Sequence, residues 1–404
     1  MLNKIIVIFT VFIAACAYAY AAEPSSDSPS IYLTWQRDPT TTMTIQWIST
    51  PDDTSSQVDY KTKSDSHWET ASGTTTPLPY GFKGLIHRIE LTNLLPETDY
   101  LFRLPGNEKE YKFQTMPSYL DRPIRFVEGG DIYHDDIKYV KEMNALAIKF
   151  NPDFALLGGD IAYAGHGSGS KPENGKKWLT FLKTWSETMV TEDGRLIPMI
   201  PTIGNHDLNG RYGQTPAQAL FYYALFAMPG PQGYNVLDFG SYLSIIILDS
   251  GHTHPIDGDQ TAWLEKTLAD RKEIQTKFAL YHVPAYPSVR PFDGKINVLI
   301  RKNWVPLFEK YHLTAAFEHH EHDYKRSFPI LVDTIDPTGV IYLGDGAWGV
   351  EHPRLAKTKS QAWYLAKTAP ARHIIEVTIE KNRRQYDAID SEGQTIDSYS
   401  QTLH

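Results

Sequence analysis

Eight polar side chains of the types that bind metal ions follow short apolar runs in the second part of the chain, where strands are predicted to end. They are Asp131, Asp160, Tyr163, Asn205, His206, His282, His320 and His322. An aspartate that follows a glycine pair is by itself more often a turn residue or a helix cap than a ligand. The ordered set is more informative, because carboxylate, amide, phenolate and imidazole groups suit hard or borderline metal ions. Because the set contains eight such residues, we predict a site for two metal ions.

The elements that would position these residues are strands that alternate with helices. Residues 124–127 and 154–157 are short apolar runs, and each ends at a Gly-Gly-Asp sequence. Apolar residues at helical spacing follow in 137–150 and 178–189. Such alternation predicts an α/β domain, here residues 122–392, in which the site lies at the carboxyl ends of the strands.

The first part of the chain has a different pattern. Between residues 28 and 117, short runs alternate apolar and polar residues, as in Met43, Ile45 and Trp47, and are separated by Thr, Pro, Asp and Gly clusters. Regular short strands with turn signals predict an antiparallel β-sandwich. No group of chemically active residues occurs there, so we expect a structural module. Residues 117–123, with a proline at each end, are predicted to form a linker.

The order of the polar motifs resembles that of the purple acid phosphatases, which belong to the binuclear metallophosphoesterases. In this sequence the motifs are Gly130-Asp131, Gly159-Asp160-Ile161-Ala162-Tyr163, Gly204-Asn205-His206-Asp207, His282 and His320-Glu321-His322. Leu94, Pro96 and Tyr100 also resemble the end of a fibronectin type III module, which many members of that family carry. Tyr163 is the most discriminating residue, because wider metallophosphoesterases lack it. The resemblance extends over nearly the whole chain after residue 28.

The resemblance implies a role for each motif residue. Asp131, Tyr163 and His322 would hold Fe(III), and Asp160 would bridge the two ions. The divalent ion, which would be Fe, Zn or Mn, would be held by Asn205, His282 and His320. His206 would contact the phosphate or the leaving group as a donor or general acid, and Asp207 would orient it. We expect three further residues to reach the substrate: His134, Tyr286 and Arg290.

The function implied is that of an exported acid phosphatase that hydrolyses phosphate monoesters by attack of a metal-bound hydroxide. It would act on small phosphorylated substrates, release inorganic phosphate, and occur as a monomer or homodimer. A phosphodiesterase or nucleotidase could use the same metal pair, and a metal-binding surface protein with weak catalysis is a third alternative. The formal charge of -9 disfavours nucleic acid as a structural partner.

Three features depart from the family pattern or compete with it. The sequence Gly251-His252-Thr253-His254 matches a Gly-His-x-His motif, but it precedes His282, whereas the last family pair follows that histidine. This order disfavours the motif as a metal ligand. It could instead line the substrate pocket or form a solvated loop. His319 stands where the family has glycine, which leaves its role open. His166 lies in a Gly/Ser-rich loop and is expected to be exposed.

Residues 1–22 are predicted to be a signal peptide, with Lys4 before an apolar run that is too short to span a bilayer. Cleavage after Ala21 would give a secreted or periplasmic protein. The sequence Ile13-Ala14-Ala15-Cys16 also resembles a bacterial lipobox, so a lipid anchor at Cys16 is the alternative. Cys16 is the one cysteine of the chain, which excludes internal disulfides and multi-cysteine metal sites. No later segment of the sequence has the length and apolarity of a membrane helix.

Overall fold

A computed structural model of the chain describes residues 29–165, 172–357 and 362–402. The predictions for residues 1–22, including Cys16, and for His166 lie outside these residues. Among the helices of the described ranges, none combines the length and the hydrophobicity that crossing a membrane requires.

The N-terminal part is the predicted antiparallel β-sandwich. Its eight strands are β1 (Ser30–Thr34), β2 (Met43–Ser49), β3 (Gln57–Thr62), β4 (Glu69–Ser72), β5 (Thr74–Pro77), β6 (Leu85–Leu91), β7 (Asp99–Arg103) and β8 (Tyr111–Gln114). One sheet has the order β1-β2-β6-β5 and the other has the order β4-β3-β7-β8. The Tyr100 hydroxyl accepts a hydrogen bond from the Leu95 amide at 2.8 Å, as the fibronectin-like motif implies. The edge strands β4 and β5 were not predicted, because they are polar and largely exposed.

Two mixed sheets form the second domain. Their strands are β9 (Ile124–Gly129), β10 (Phe154–Leu157), β11 (Met199–Pro201), β12 (Asn235–Phe239), β13 (Leu243–Ile247), β14 (Thr276–Leu280), β15 (Ala315–Glu318), β16 (Tyr324–Ser327), β17 (Ile330–Leu331), β18 (Thr334–Ile335), β19 (Ile341–Gly344), β20 (Leu365–Ala369), β21 (His373–Glu380), β22 (Arg383–Asp390) and β23 (Thr395–Thr402). The first sheet has the order β11-β10-β9-β21-β22-β23, and the second has the order β12-β13-β14-β15-β19-β16-β20. Strands β17 and β18 form a separate two-stranded sheet.

The helices are α1 (Ile137–Ala147), α2 (Gly175–Thr188), α3 (Leu220–Leu225), α4 (Asp259–Asp270), α5 (Lys295–Asn303) and α6 (Val305–Lys310), with short 3₁₀ turns at Pro79–Gly81, Ile148–Phe150 and Pro216–Gln218. Helix α1 begins after Asp136, whose side chain accepts from the Lys138 amide, and α2 begins after Asn174 in the same way. These caps satisfy backbone N–H groups that lack a partner in the first turn.

The two sheets pack face to face through phenylalanine rings. Phe126 on β9 lies 5.8 Å from Phe278 on β14 and 6.0 Å from Phe317 on β15, measured between ring centroids. In the first sheet β9, β10 and β11 run parallel, and in the second β13, β14, β15 and β19 do. The carboxyl ends of these strands therefore supply the loops that carry the predicted ligands.

The sandwich shares its core with the second domain. Trp35, just after β1, is fully buried, and its ring lies 6.1 Å from Phe154 and 5.8 Å from Phe239. The Tyr32 hydroxyl donates to the Leu225 carbonyl at 2.9 Å. One continuous apolar cluster thus joins the two domains.

The second domain continues beyond the predicted boundary at residue 392. Strand β23 pairs with β22 along its length, and its Asp397 accepts hydrogen bonds from the Tyr324 hydroxyl and the Arg326 guanidinium, both at 2.7 Å. Tyr324 and Arg326 therefore have a structural role: they tie one sheet to the last strand of the other.

Replacing Trp35 with alanine should destabilise the protein by about 3–5 kcal/mol, because it leaves a cavity at the domain junction. Denaturant unfolding of the purified protein measures this loss. Tyr119→Ala is the control, since the Tyr119 side chain is 73% exposed; its effect should stay within about 0.5 kcal/mol. Equal effects of the two substitutions would show that the junction does not contribute to stability.

Candidate metal centre

The seven predicted ligands lie on loops that follow strands of both sheets. Five of them have a positive φ: Asp131 (53°), Asp160 (50°), Tyr163 (49°), His320 (81°) and His322 (64°). Residues other than glycine rarely adopt this left-handed region, and such strain concentrates at functional sites. Five of the seven predicted ligands thus share this backbone state, although eight other non-glycine residues of the described chain adopt it too.

One group of ligand atoms consists of Asp131, Tyr163 and His322. The Tyr163 hydroxyl donates to Asp131 Oδ1 at 2.7 Å and lies 3.1 Å from His322 Nε2. The same Nε2 is 2.8 Å from Asp131 Oδ1. These three atoms are the set predicted for the trivalent ion.

A second group converges on His282 Nε2. This atom lies 3.2 Å from Asn205 Oδ1, 3.1 Å from His320 Nδ1 and 3.3 Å from Asp160 Oδ2. Donor atoms of Asp160, His282 and His320 also lie within 4.8 Å of one another, close enough for one ion. These are the residues predicted for the divalent ion, together with the predicted bridging aspartate.

Both groups fit metal ions. Asp160 Oδ2 is buried, and no hydrogen bond satisfies it among the described residues. Buried carboxylate oxygens normally have partners, so this atom is suited to a cation. Ligand atoms about 2.0–2.2 Å from a common ion lie roughly 3 Å apart, which is the spacing found in both groups.

Burial and charge act against each other in the centre. Burial opposes ionisation of Asp160, but the positive charge of His282 outweighs it and lowers the pKa of this carboxyl group. For His282 burial lowers the pKa, yet the charge of Asp160 raises it to about 9. Burial, with help from Asp131, raises the pKa of Tyr163 well above its usual value. A bound metal must therefore displace protons from Tyr163 and His282.

His206 lies beside both groups of ligand atoms. Its ring stacks on Tyr163 with centroids 4.6 Å apart, and its backbone amide donates to Asp160 Oδ1 at 2.6 Å. Burial lowers the pKa of His206. Within the described part of the chain, no hydrogen bond engages the ring nitrogens, so they are available to a substrate.

Asp207 does not orient His206 as the sequence implied. Its fully buried carboxylate accepts from the backbone amides of Ile161 at 2.7 Å, Ala162 at 3.2 Å and Gly204 at 3.0 Å. It thereby joins the loop of Asp160 and Tyr163 to the loop of Asn205. We correct its role from catalytic to positioning, because its oxygens are occupied by backbone.

The three predicted substrate residues differ in placement. The His134 ring lies edge-on to the rings of Tyr163 and His322, with centroids 4.7 and 4.6 Å away. This position is compatible with substrate contact, which stays a prediction. Arg290 donates to the His320 carbonyl and to Glu321 Oε1, both at 2.7 Å, which places it beside a ligand. Tyr286 is fully buried in an aromatic cluster with Phe292, Tyr342 and Tyr364. We correct Tyr286 to a core residue, because a ring without exposed surface cannot receive a substrate.

The histidines that depart from the family pattern also have defined places. His319 is fully buried; its Nε2 pairs with Glu128, and its Nδ1 donates to the Tyr281 carbonyl at 2.9 Å. His252 is fully buried too, which contradicts the solvated-loop alternative, and His254 is half-buried beside Asp249. Neither His252 nor His254 belongs to a group of described residues that could hold a metal.

Sequence reasoning missed two residues near the centre, Arg211 and Tyr212. The Tyr212 hydroxyl lies 3.4 Å from His320 Nε2. The signal available was the run Asn209-Gly210-Arg211-Tyr212-Gly213, whose glycines mark a turn directly after the Asn205–Asp207 motif.

The apparent affinity for a divalent ion should rise with pH between 6.5 and 9. His282 holds a proton up to about pH 9 in the metal-free protein, against an ordinary pKa of 6.5, and the ion needs the neutral ring. Loss of one competing proton gives up to about tenfold tighter binding per pH unit. Chelator competition at several pH values measures this slope, with His282→Ala as the control without the ligand. An affinity independent of pH in this window would contradict the assignment.

Comparison with known proteins supports the motif-based resemblance. Residues 28–115 match the family described as Purple acid Phosphatase, N-terminal domain, and residues 124–324 match the family described as Calcineurin-like phosphoesterase. Purple acid phosphatase 21 of Arabidopsis thaliana is 28% identical over 306 residues, which cover 72% of this chain and 65% of that protein. Purple acid phosphatase 22 of the same plant is 25% identical over 315 residues, which cover 75% of this chain and 69% of that protein. The chain thus spans about two thirds of the length of these relatives.

The fold agrees as well. A purple acid phosphatase from yellow lupin (Lupinus luteus) superposes with a TM-score of 0.77 at 18% identity, over 93% of this chain and 74% of the lupin chain. With the N-terminal domain of the family followed by its phosphoesterase domain, the chain belongs to the purple acid phosphatases.

Proposed function

We propose that the protein is an exported acid phosphatase that hydrolyses small phosphate monoesters with two metal ions. The observation that carries this proposal is the pair of ligand groups, each with its donor atoms about 3 Å apart. Membership of the purple acid phosphatases supports it further. Asp131, Tyr163 and His322 would hold Fe(III), Asp160 would bridge, and Asn205, His282 and His320 would hold Fe, Zn or Mn in the divalent state.

The donor types support different ions in the two positions. Phenolate and carboxylate oxygens are hard donors, which favours a trivalent ion next to Tyr163 and Asp131. Two imidazoles and an amide oxygen suit a softer divalent ion. When bound, the two ions would neutralise the charge of a phosphate ester and lower the pKa of a water molecule beside it.

The residues of the chain would bind and orient the ester and handle a proton. His206 presents a ring nitrogen next to Tyr163, from which it can donate to a phosphate oxygen or protonate the leaving group. Asp207 holds the two ligand loops at a fixed spacing through backbone hydrogen bonds. His134 and the outer part of Arg290, whose side chain is 37% exposed, are placed to contact the substrate.

A phosphodiesterase or nucleotidase is the second candidate, because the same centre can act on diesters. Parallel assays with an aryl phosphate monoester and the matching diester separate the two, and activity on neither would favour a metal-binding protein without catalysis. Export rests on residues 1–22, and mass spectrometry of the mature N-terminus would show a start near Ala22 or a lipidated Cys16.

The metal-loaded protein should be coloured, because a phenolate bound to Fe(III) absorbs visible light by charge transfer. Tyr163→Phe should abolish the band, since it removes the phenolate oxygen and leaves the ring in place. Absorption spectra with iron analysis of both proteins test this. An active, fully metallated and colourless wild-type protein would reject the ferric assignment.

Asn205→Ala and His206→Ala should separate metal binding from catalysis. Asn205 lies among the donor atoms of the second group, so its loss should reduce occupancy of the divalent ion. His206 is not a ligand, so His206→Ala should keep both ions and lower kcat by about 10²–10⁴-fold, the range for a general acid. Metal content and kcat are measured on the same preparations. Loss of metal in His206→Ala would show that His206 is a ligand.

A further inference from the structure

The Gly251–His254 motif clamps a neighbouring loop. His252 Nδ1 donates to the Arg211 carbonyl at 2.8 Å. The Gly213 amide donates to the Gly251 carbonyl at 2.9 Å, and the Gln214 amide donates to the His252 carbonyl at 2.8 Å. Three hydrogen bonds therefore fix residues 211–214, which we call the substrate loop, to residues 251–254, which we call the clamp.

The clamp is itself rigidly held. The His252 amide donates to Asp249 Oδ1 at 2.6 Å, and the buried Asp249 lies two residues after the end of β13. His252 Nε2 lies 3.2 Å from the Ser250 hydroxyl, which in turn accepts from the Val283 amide at 2.9 Å. The His252 ring is 5.6 Å from the ring of the ligand His282. The clamp is thus built on the same strand ends as the metal centre.

The substrate loop reaches the centre through Tyr212. Its ring stacks on His252 with centroids 5.1 Å apart, and its hydroxyl lies 3.4 Å from His320 Nε2. His320 faces His282 with its other nitrogen, Nδ1. Tyr212 therefore contacts the outer nitrogen of a ligand, a position that orients the imidazole.

Arg211 is the unpaired cation of this loop. Its side chain is exposed, and no ion pair or hydrogen bond holds its guanidinium group within the described residues. Its backbone is nevertheless held beside the centre: its carbonyl accepts from His252, and the next residue, Tyr212, contacts His320. Arg211 thus carries an exposed cation on a loop that is fixed to the metal centre.

We propose that the clamp holds the substrate loop over the metal centre so that Arg211 binds the phosphate group of the substrate. The proposal rests on the proposed function in assuming that phosphate is bound there. A guanidinium group donates a planar fork of N–H groups that matches phosphate oxygens. Arg290 cannot offer its whole fork, because Glu321 and the His320 carbonyl already occupy one of its nitrogens.

The first test is binding of inorganic phosphate and the KM of a monoester, measured on the metal-loaded protein. Arg211→Gln should weaken phosphate binding by about tenfold to a hundredfold, as expected for lost hydrogen bonds between charged groups. The phosphate affinity of Arg211→Lys should lie between those of the wild-type protein and Arg211→Gln. Arg383→Gln, which removes an exposed arginine from β22, should change neither quantity. Phosphate affinity and KM within twofold of wild type in Arg211→Gln would overturn the proposal.

The second test concerns the clamp. His252→Phe keeps a ring to stack on Tyr212 but removes the donor to the Arg211 carbonyl, so it should weaken phosphate binding as Arg211→Gln does. The double variant should bind no more weakly than Arg211→Gln alone, because both changes remove the same interaction. His252→Asn keeps an N–H close to Nδ1 and should retain most of the affinity. Metal content and the visible band should be unchanged throughout.

The outcomes separate this inference from the proposed function. Additive effects of His252→Phe and Arg211→Gln, or lower thermal stability of His252→Phe with wild-type phosphate affinity, would reduce the clamp to a structural element. If the protein hydrolyses the ester and its phosphate binding does not depend on Arg211, this inference is rejected and the proposed function is kept. Phosphate binding that depends on Arg211, in a protein that hydrolyses no ester, would reject the proposed function and keep the inference.

Discussion

The left-handed backbone at the ligand positions is the constraint on which the rest of the structure depends. Five of the predicted ligand residues adopt it, and none of them is glycine. Each such residue costs about 1–3 kcal/mol, and five together are comparable with the net stability of a typical domain. Loops at strand ends cannot offset this by themselves. The continuous core that joins the sandwich to both sheets stabilises the fold and so offsets the strain in these loops. In this way a module without catalytic residues contributes to the geometry of the centre.

The strained loops are held by hydrogen bonds to each other. The amides of Asp131 and Ile132 donate to the carbonyls of Gly159 and Asp160, so the first ligand loop lies directly on the second. Asp207 joins the second loop to the third through amide hydrogen bonds. The His322 amide donates to the Asp345 carbonyl at 2.7 Å, beyond the last motif. Each loop is thus determined by another loop rather than by its own sequence.

This interlocking explains what the sequence could and could not predict. The candidate ligands could be singled out because each lies on or just after the end of an apolar strand and its side chain has a type that binds metal ions. The sandwich was predicted because its strands alternate with period two. Asp207 and Tyr286 were misassigned because a motif does not show which way a side chain points: the first binds backbone amides and the second packs among aromatic rings. Arg211 was missed because its position depends on hydrogen bonds to a segment about 40 residues away.

His319 shows the same dependence between motifs. Its ring occupies space that a Cβ at two glycines of other motifs would need: such an atom would lie 2.6 Å from the ring at Gly130 and 2.0 Å at Gly158. Those glycines directly precede Asp131 and Gly159, so the ring packs against the first two ligand loops, and its partner Glu128 lies on β9. A histidine in place of glycine is therefore compatible with the family's ligand geometry because two missing side chains and one buried carboxylate accommodate it. The candidate ligands are thus identified by their own motifs, whereas the loops that carry them pack against residues outside those motifs, such as His319.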